Sequence, residues 1–599
     1  MRRHRLFVMA SPALLLAWLF ASPPVAAVDN LLPQGSQSEA DYIASFAAHS
    51  VTNVFATTQK TSCYTPEVPY FTSNGPNDGY TGMSECKGAA TTGEALGPYL
   101  TQAGSNPGYP ASTPMLVKDH SESDIRVDPR DPLHLIGSSK WIVSAEGYNH
   151  LLGFYESFDG GKTWPVQGHI PGYEGWTDNT DPVGAFDTYG DYYSLILPYQ
   201  FFYRGDGTHN FQINPNAEPN PGQPAEVISI AVRPHGATTA GQWITKRNGQ
   251  LDFVAPYDAK GQEPDKQWIT IDTNPGPLKN TIYAMWAVFD GFNSKIFVST
   301  ATALGGGQHT DWSAPQQLPT INGTAGDSYL LPHVAPDGTV YTSVTNFPGK
   351  DAFCCVTISV DWSTDGGLTW QGPSALAAQN IQETIAYKNT TFRQGISNSF
   401  AVGTQKISGK YPLYVAYEDY GTGNANVMLT TSIDGGQTWS PPIKVNDNMA
   451  STVDEFQPNL AVAPNGTVSV NFYDRRLACP AQFTAEADAA GLILDKVNPN
   501  YAATPPYSAA NYCVNASIQF YQGNLTPIGH NIRISEHAFD PQLNSPHPRC
   551  ATCKRTFIGD YFGNTFAGTT SYSSFVSTYD DGSNTAHYQQ QVVASLKIS

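Results

Sequence analysis

Short polar clusters that contain carboxylates are the best candidates for chemistry in this 599-residue chain. They lie at residues 120–124, 178–181, 454–455 and 559–561. Carboxylates that converge on one point can bind Ca²⁺, act as a general acid and base, or hydrogen-bond the hydroxyls of a sugar. The competing interpretation is that each Asp caps a turn between two strands. From these clusters we select Asp181 as a catalytic candidate.

Two further sets of side chains are candidates for ligand contact. The phrase Asn471-Phe-Tyr-Asp474-Arg475-Arg476 places an acid beside two guanidinium groups at the end of a strand-like run. Arginine can hold an anionic group with two parallel hydrogen bonds, and Asp474 is a candidate acid or base. A structural salt bridge explains the same phrase equally well. The ring of Trp141 is suited to stacking on a sugar, although a tryptophan in such an aromatic chain also fits a core.

A hairpin phrase that occurs three times indicates how these residues are positioned. Each copy has the form S-x-D-x-G-x-T-W and follows an alternating apolar run typical of a strand. Its Gly-Gly pair accepts the positive φ of a tight turn, its Asp and Ser can bond to the turn backbone, and its Trp can fill the neighbouring core. The positions are Ser157, Asp159 and Trp164; Ser363, Asp365 and Trp370; Ser432, Asp434 and Trp439.

This phrase resembles the Asp box, or BNR repeat, of the sialidase-like β-propellers. The resemblance implies an all-β chain of four-stranded antiparallel blades around a central channel, with the boxes on hairpins away from the active site. Aromatic-rich phrases that begin near Gly190, Gly338, Tyr411 and Gly466 would then be second strands of blades.

The spacing of the boxes predicts the number of blades. Ser363 and Ser432 are 69 residues apart, whereas Ser157 and Ser363 are 206 residues apart, close to three such steps. Two blades without an intact box should therefore lie between the first two boxes. The count reaches seven blades, with six as the alternative. Because the last unit is short of strands, a strand from before Ser121 is expected to complete it.

We divide the chain into a signal peptide at residues 1–27, an irregular N-terminal extension at 28–118 and an Asp-box propeller at 119–599. The first segment has three arginines, an apolar core and small residues for cleavage. We therefore expect a secreted protein with no membrane span. The net charge of −19 argues against nucleic acid as a partner.

The remaining site candidates follow from the family resemblance. Sialidases surround the substrate carboxylate with three arginines, and they use an acid and a tyrosine nucleophile. In the family's order Arg126, Arg393 and Arg475 or Arg476 would be the arginines, and Glu146 would be the acid. Glu383 would assist, and Tyr561 falls in the last unit. The local motifs depart from the family's pattern, because Arg126 begins R-V-D-P and the acid is Glu where Asp is expected.

The eight cysteines of an exported chain indicate disulfides. Proximity favours the pairs Cys63–Cys86, Cys479–Cys513 and Cys550–Cys553. Adjacent Cys354 and Cys355 are left open between a vicinal bridge and distant partners. We expect no catalytic metal or cofactor, although a structural Ca²⁺ is compatible with the acidic clusters.

The sequence therefore predicts a secreted, sialidase-like propeller that acts on extracellular glycans as a glycoside hydrolase. The alternative is a non-catalytic propeller that binds carbohydrate or protein. We expect a monomer.

Overall fold

The architecture was derived from a computed structural model of the chain. The structure describes residues 56–60, 119–142, 150–173, 178–199, 224, 226–257, 262–290, 293–321, 326–348, 354–384, 387–390, 392, 398–448, 452–492, 506–541, 545–546, 556–582, 584, 587 and 589–598. The expected signal peptide lies outside these residues, as do Cys63, Cys86, Cys550 and Cys553.

Seven antiparallel sheets form the body of the molecule, and we number them as blades 1 to 7 in chain order. The strand β1 (Ala56–Lys60) belongs to the last of them. Blade 1 contains β2 (Asp119–Asp128), β3 (Asp131–Ile142), β4 (His150–Ser157) and β5 (Val166–His169). Blade 2 contains β6 (Asp178–Phe186), β7 (Tyr192–Tyr199), β8 (Glu226–Arg233) and β11 (Phe253–Tyr257), and the ribbon of β9 (Lys246–Arg247) and β10 (Gln250–Leu251) precedes β11. Blade 3 contains β12 (Glu263–Ile271), β13 (Thr281–Asp290) and β14 (Asn293–Gly305), and both β15 (Gln308–His309) and β16 (Gln316–Gln317) pair with β14.

Blades 4 to 7 repeat the same up-and-down order. Blade 4 contains β17 (Gly326–Val334), β18 (Val340–Phe347), β19 (Cys354–Ser363) and β20 (Ala378–Gln382), and blade 5 contains β21 (Asn398–Val402), β22 (Leu413–Asp419), β23 (Asn426–Ser432) and β24 (Ile443–Lys444). Blade 6 contains β25 (Glu455–Val462), β26 (Val468–Asp474), β27 (Asn515–Tyr521) and β28 (Pro527–Arg533). Blade 7 contains β31 (Gly563–Ala567), β32 (Thr570–Ser577), β33 (Gln590–Lys597) and β1. A separate ribbon, β29 (Ser545–Pro546) with β30 (Thr556–Phe557), precedes blade 7.

The sheets close into a ring. The first strands β2, β6, β12, β17, β21, β25 and β31 contact one another in that order, and β31 contacts β2 again. These strands therefore surround the axis. Strand β1 pairs antiparallel with β33, with Ala56 opposite Leu596 and Lys60 opposite Val592. The prediction of seven blades is confirmed, and so is the prediction that an N-terminal strand completes the last one.

The three repeated hairpins occupy the same corner of their blades, between the third and fourth strands of blades 1, 4 and 5. In the third copy Ser432 Oγ donates to Asp434 Oδ1 (2.8 Å), and Asp434 accepts from the backbone N–H of Thr438 (2.9 Å) and from its hydroxyl (2.5 Å). The other two copies make the same three contacts. Burial opposes ionisation of Asp159 and Asp434, but the bonds outweigh it, so the pKa of all three Asp residues is lowered; the bonds close within the turn.

An insertion between β26 and β27 carries the short helix α1 (Ala485–Ala489), which Thr484 caps at its N-terminus. A Cys479–Cys513 disulfide joins the two ends of this insertion, as predicted. Cys354 and Cys355 form a vicinal bridge at the start of β19, which settles the alternative that the sequence left open. Within the described residues, no helix is long and apolar enough to cross a membrane.

Candidate functional site

The first strands of five blades each contain a bulge whose key residue has left-handed backbone geometry. These residues have φ values between 51° and 55° and are Glu122, Asp181, Lys266, Tyr329 and Gln457. At each one the pairing with the second strand slips. Left-handed geometry is unfavourable for residues with a Cβ, so five equivalent occurrences point to a requirement of the site.

The bulges of blades 1 and 2 bring two carboxyl groups into contact on the axis. Lys140 on β3 lies between them, with its Nζ 2.8 Å from Glu122 Oε2 and 3.4 Å from Asp181 Oδ1. Lys140 also donates to Thr180 Oγ1 (2.7 Å). Burial, and then the charge of Asp181, raise the pKa of Glu122 well above its usual value. Burial also disfavours an ionised Asp181, but Lys140 and Lys266 outweigh it and lower the pKa of Asp181. The two pKa shifts are opposite in direction, so Glu122 is the member of this coupled pair that favours the protonated form.

Blade 3 contributes a cation to the same region. Lys266 Nζ lies 2.7 Å from Asp560 Oδ2, in the segment that leads into blade 7, and 3.6 Å from Asp265 Oδ2. Burial disfavours the charged lysine, but Asp265 and Asp560 outweigh this effect and raise the pKa of Lys266. We name Glu122, Lys140, Asp181, Lys266 and Asp560 the axial charged layer.

Side chains from other blades close the axis beside this layer. Gln457 donates through Nε2 to the carbonyl of Gly559 (2.6 Å), and the hydroxyl of Tyr561 donates to the carbonyl of Pro182 (3.3 Å). The ring of Trp268 meets Tyr561 edge-on at 5.2 Å. Burial, and then the charge of Glu122, raise the pKa of Tyr561 well above its usual range, so its hydroxyl keeps its proton at neutral pH.

A cavity of about 540 Å³ continues along the axis from this closure. Tyr561, Trp268 and Gln457 border it, and all seven first strands line it. Beyond the ends of four of these strands it reaches the turn residues Pro129, Thr273, Thr404 and Pro464. First and third strands run in the same direction in an up-and-down sheet, so the cavity extends toward the end of the propeller that carries the box corners.

Three of the predicted site residues lie around this axis. Asp181 belongs to the charged layer, and Tyr561 borders both the layer and the cavity. Arg126 lines the cavity, but its donors already have protein partners. Its Nη2 pairs with Asp124 (2.9 Å), and its Nε donates to the carbonyl of Gly184 (2.8 Å).

Arg475 and Arg476 lie in buried networks of blade 6. Arg475 pairs with Asp454 (3.1 Å) and donates to backbone carbonyls, two of them those of Asn511 and Tyr512. Arg476 pairs with Asp474 (2.7 Å) and with a second carboxylate. The N–H groups of both guanidinium groups are bonded to carboxylates or carbonyls inside the fold. The salt-bridge interpretation is therefore the right one for Arg475 and Arg476, and neither is available to bind an anion.

A tyrosine–glutamate hydrogen bond is present, but Tyr561 does not make it. Tyr387 donates to Glu418 Oε2 at 2.8 Å, and the backbone N–H of Gln457 contacts the same oxygen at 3.4 Å. Burial raises the pKa of Glu418 to about 8 and that of Tyr387 well above its usual range. Glu383 lies close enough for its charge to raise both values. The sequence analysis missed this pair, because its members are 31 residues apart and in no shared motif.

Trp141 is buried in blade 1, so the core interpretation is confirmed and the prediction that it forms a stacking surface is wrong. It is 2% exposed, its indole N–H donates to the hydroxyl of Tyr155 (2.9 Å), and its ring fills the space beside Gly153. Of the remaining candidates, Glu146 and Arg393 lie outside the described residues.

Sequence reasoning also missed Lys140 and Lys266, and it noted Glu122 only as a member of a cluster. The five bulge phrases, S-E-S-D, N-T-D-P, D-K-Q-W, S-Y-L-L and F-Q-P-N, share no residue pattern. Their common signal is position, because each stands near the start of a first strand. Among the described residues, no three His, Cys, Asp or Glu side chains form a group that could hold a metal ion, and the structural Ca²⁺ stays a prediction.

No protein-family model matches the chain, and no curated protein matches it. Solved structures that are similar to it include a protein of unknown function from Dyadobacter fermentans, at 12% identity over 81% of this chain and 96% of that one, with a TM-score of 0.41. The polysaccharide lyase Uly1 is 10% identical over 92% of this chain and 100% of that one, with a TM-score of 0.42. The NanB sialidase from Streptococcus pneumoniae is 12% identical over 82% of this chain and 71% of that one, with a TM-score of 0.34. Values this low support no inference about residue roles, and the propeller assignment rests on the seven sheets of the chain itself.

Proposed function

We propose that this protein is an exported glycan-acting propeller, and specifically a glycoside hydrolase whose acid and base are Glu122 and Asp181. The observation that supports the proposal is a pair of carboxyl groups on the axis that Lys140 bridges, at 2.8 Å from Glu122 and 3.4 Å from Asp181, and whose pKa values are shifted in opposite directions. Cleavage of a glycosidic bond needs one group that donates a proton to the leaving oxygen and one carboxylate about 5–9.5 Å from it on the other side of the bond, so the two side chains must separate when a substrate enters between them. The export signal expected from the sequence fits an extracellular glycan as substrate.

Four residues of the layer, and Asp265 beside it, have a role in this proposal. Glu122 donates the proton, and Asp181 acts as base or nucleophile. Lys140 binds both carboxyl groups and keeps Asp181 ionised. Lys266 and Asp265 retain 13% and 32% side-chain exposure, so they are the groups that meet a substrate approaching from the end where the first strands begin.

Among the described residues, which do not include Arg393, the geometry favours a neutral glycoside over a sialoside. Arg126 is paired with Asp124, and Arg475 is saturated by Asp454 and backbone carbonyls. Burial raises the pKa of Tyr561 and also of Tyr387, the tyrosine that bonds to Glu418, so neither is an activated nucleophile. A sialidase mechanism needs free guanidinium groups and an activated tyrosine.

The test is a turnover assay of the mature chain on a panel of fluorogenic glycosides, sialosides included, and on polysaccharides by release of reducing ends. Asp181→Asn and Glu122→Gln should each lower kcat by about 10²–10⁴-fold on any accepted substrate. Asp434→Asn, the same change in an exposed box corner, should leave kcat unchanged. Activity should fall at low pH as Asp181 gains a proton and at high pH as Glu122 loses one. The absence of turnover on the whole panel, or full activity of Asp181→Asn, would refute the proposal.

A second candidate is the non-catalytic binding propeller, and the burial of the carboxyl pair favours it. Glu122 is 1% exposed and Asp181 is 6% exposed. A glycan array distinguishes the two functions. Binding without turnover, equal in wild type and Asp181→Asn, would support the binding module.

A further inference from the structure

The axial cavity differs in charge from the rest of the molecule. The chain carries 51 acidic and 32 basic residues, yet none of the described residues that line the cavity is Asp or Glu. Arg126 is the only Lys or Arg among them; its Nη2 pairs with Asp124 at 2.9 Å, and its Nε donates to a backbone carbonyl. A ligand in this cavity would therefore meet no uncompensated charge. Because burying an unpaired charge is costly, the site should reject ions.

The cavity wall also offers hydrogen-bonding groups that the described part of the fold does not use. Within the described residues, no hydrogen bond is found for the imidazole of His333 or for the side-chain amide of Asn459. Burial lowers the pKa of His333 to about 3, so its ring is uncharged at neutral pH and has one donor and one acceptor.

Aromatic rings complete the wall. Trp268 and Tyr561 stand at the end next to the charged layer, and Phe400 meets His333 edge-on at 5.8 Å. Flat apolar faces combined with neutral donors and acceptors suit a ring compound that has C–H faces and hydroxyl edges. The volume of about 540 Å³ falls within the range of ~300–1,000 Å³ typical of small-molecule sites.

We propose that this axial cavity is a binding site, separate from the charged layer, for an uncharged hydroxylated ring compound of one or two six-membered rings. His333 and Asn459 hydrogen-bond its hydroxyls, and Trp268 and Tyr561 contact its faces. The site opens toward the box corners, whereas the proposed catalytic groups face the opposite end of the propeller. The inference does not depend on the proposed hydrolase, because it requires no turnover.

Isothermal titration calorimetry on the full mature chain tests the site, with methyl β-D-glucoside and cellobiose as probes. The matched charged probes are glucuronate and glucosamine. We expect the neutral probes to bind with Kd values of about 0.01–3 mM. The charged analogues should bind at least about tenfold more weakly.

Variants then locate the binding. Asn459→Leu and His333→Phe should each weaken it about tenfold, because each removes polar groups at nearly constant volume. His333→Gln should restore most of the affinity, since it keeps a donor and an acceptor. Asn293→Leu, the same change at an exposed position of blade 3, should have no effect, and Asp181→Asn should bind like wild type.

Three results would overturn the inference: no heat of binding up to about 20 mM probe, equal affinity for charged and neutral probes, or unchanged affinity in Asn459→Leu and His333→Phe alike. If His333→Phe does not fold, as judged by near-ultraviolet circular dichroism, Asn459→Leu decides alone. Turnover is scored separately, so failure here leaves the hydrolase proposal standing, and failure of the hydrolase leaves this site standing.

Discussion

The box corners and the inner-strand bulges both hold left-handed backbone, but they do so with opposite residue choices. Each box places glycine at its two left-handed positions, with φ values between 75° and 87°. The bulges place Glu, Asp, Lys, Tyr and Gln at theirs. Glycine has no Cβ to clash, so the boxes avoid a strain that the bulges keep.

The two devices also differ in where their side chains bond. In a box, Ser432, Asp434 and Thr438 bond to one another and to their own turn. In the bulges, Lys266 reaches Asp560 and Gln457 reaches Gly559, each in another part of the ring. The boxes therefore stabilise a corner locally, whereas the bulges present side chains to the axis. This difference separates architecture from site in a chain in which both features repeat.

The largest expected effect on stability comes from removing the cation of the axial charged layer. Lys266→Met removes the cation that contacts Asp560, which is 1% exposed, and Asp265. We expect the free energy of unfolding to fall by about 3 kcal/mol, because a buried ion pair loses its cation. Urea denaturation at neutral pH measures it.

The matched control is Arg247→Met, which breaks an ion pair with the exposed Asp311 at 2.7 Å. It should change stability by less than about 1 kcal/mol. Equal losses in the two variants would contradict the distinction between axial and peripheral charges.

A buried acid beside a box should respond in the opposite direction. Asp361, on β19 just before the box of blade 4, is fully buried, and neither carboxyl oxygen bonds to another described residue. Burial, and then the charge of Asp327, raise its pKa from 3.8 to about 8. The folded state therefore keeps a proton that the unfolded chain releases, and this contribution to stability is lost as pH rises from about 4 to 8.

Asp361→Asn removes that pH dependence. At pH 8 we expect the variant to be more stable than wild type by about 1–3 kcal/mol, and near pH 4 the gain should vanish. Paired denaturation curves at the two pH values measure it. A variant that is less stable at pH 8 would show that the carboxylate has a partner that Asn cannot replace.

The same contrast between boxes and bulges explains which parts of the fold and of the site could be predicted from the sequence. The box is read from sequence because Ser, Asp, Gly, Thr and Trp act within eight consecutive residues, and from three copies the blade number followed. The axial layer could be predicted only in part. Asp181 and Tyr561 were selected, but Lys140 joins them from a second strand and Lys266 from another blade. Their contacts depend on the closing of the ring, which no local pattern encodes. The stacking interpretation of Trp141 was wrong, because the sequence pattern of an aromatic residue at a strand end is the same whether its ring faces a cavity or the core.

The backbone itself supplies the smallest and most discriminating comparison. At Gly435 (φ 79°) a Cβ would meet no atom within 4 Å, so Gly435→Ala tests conformational strain alone and should lower stability by about 1 kcal/mol.

At the bulge residue Tyr329 (φ 52°) the side chain is removed in two ways, and Tyr329→Gly should be more stable than Tyr329→Ala by a similar amount of about 1 kcal/mol. Because both bulge variants lose the same ring, including its contact with Lys266 (5.8 Å), their difference reports the backbone alone. Thermal or urea unfolding of the four proteins measures both differences. Equal stability of the glycine and alanine variants at Tyr329 would mean that the bulge relaxes without strain, and the bulges would then no longer mark the site.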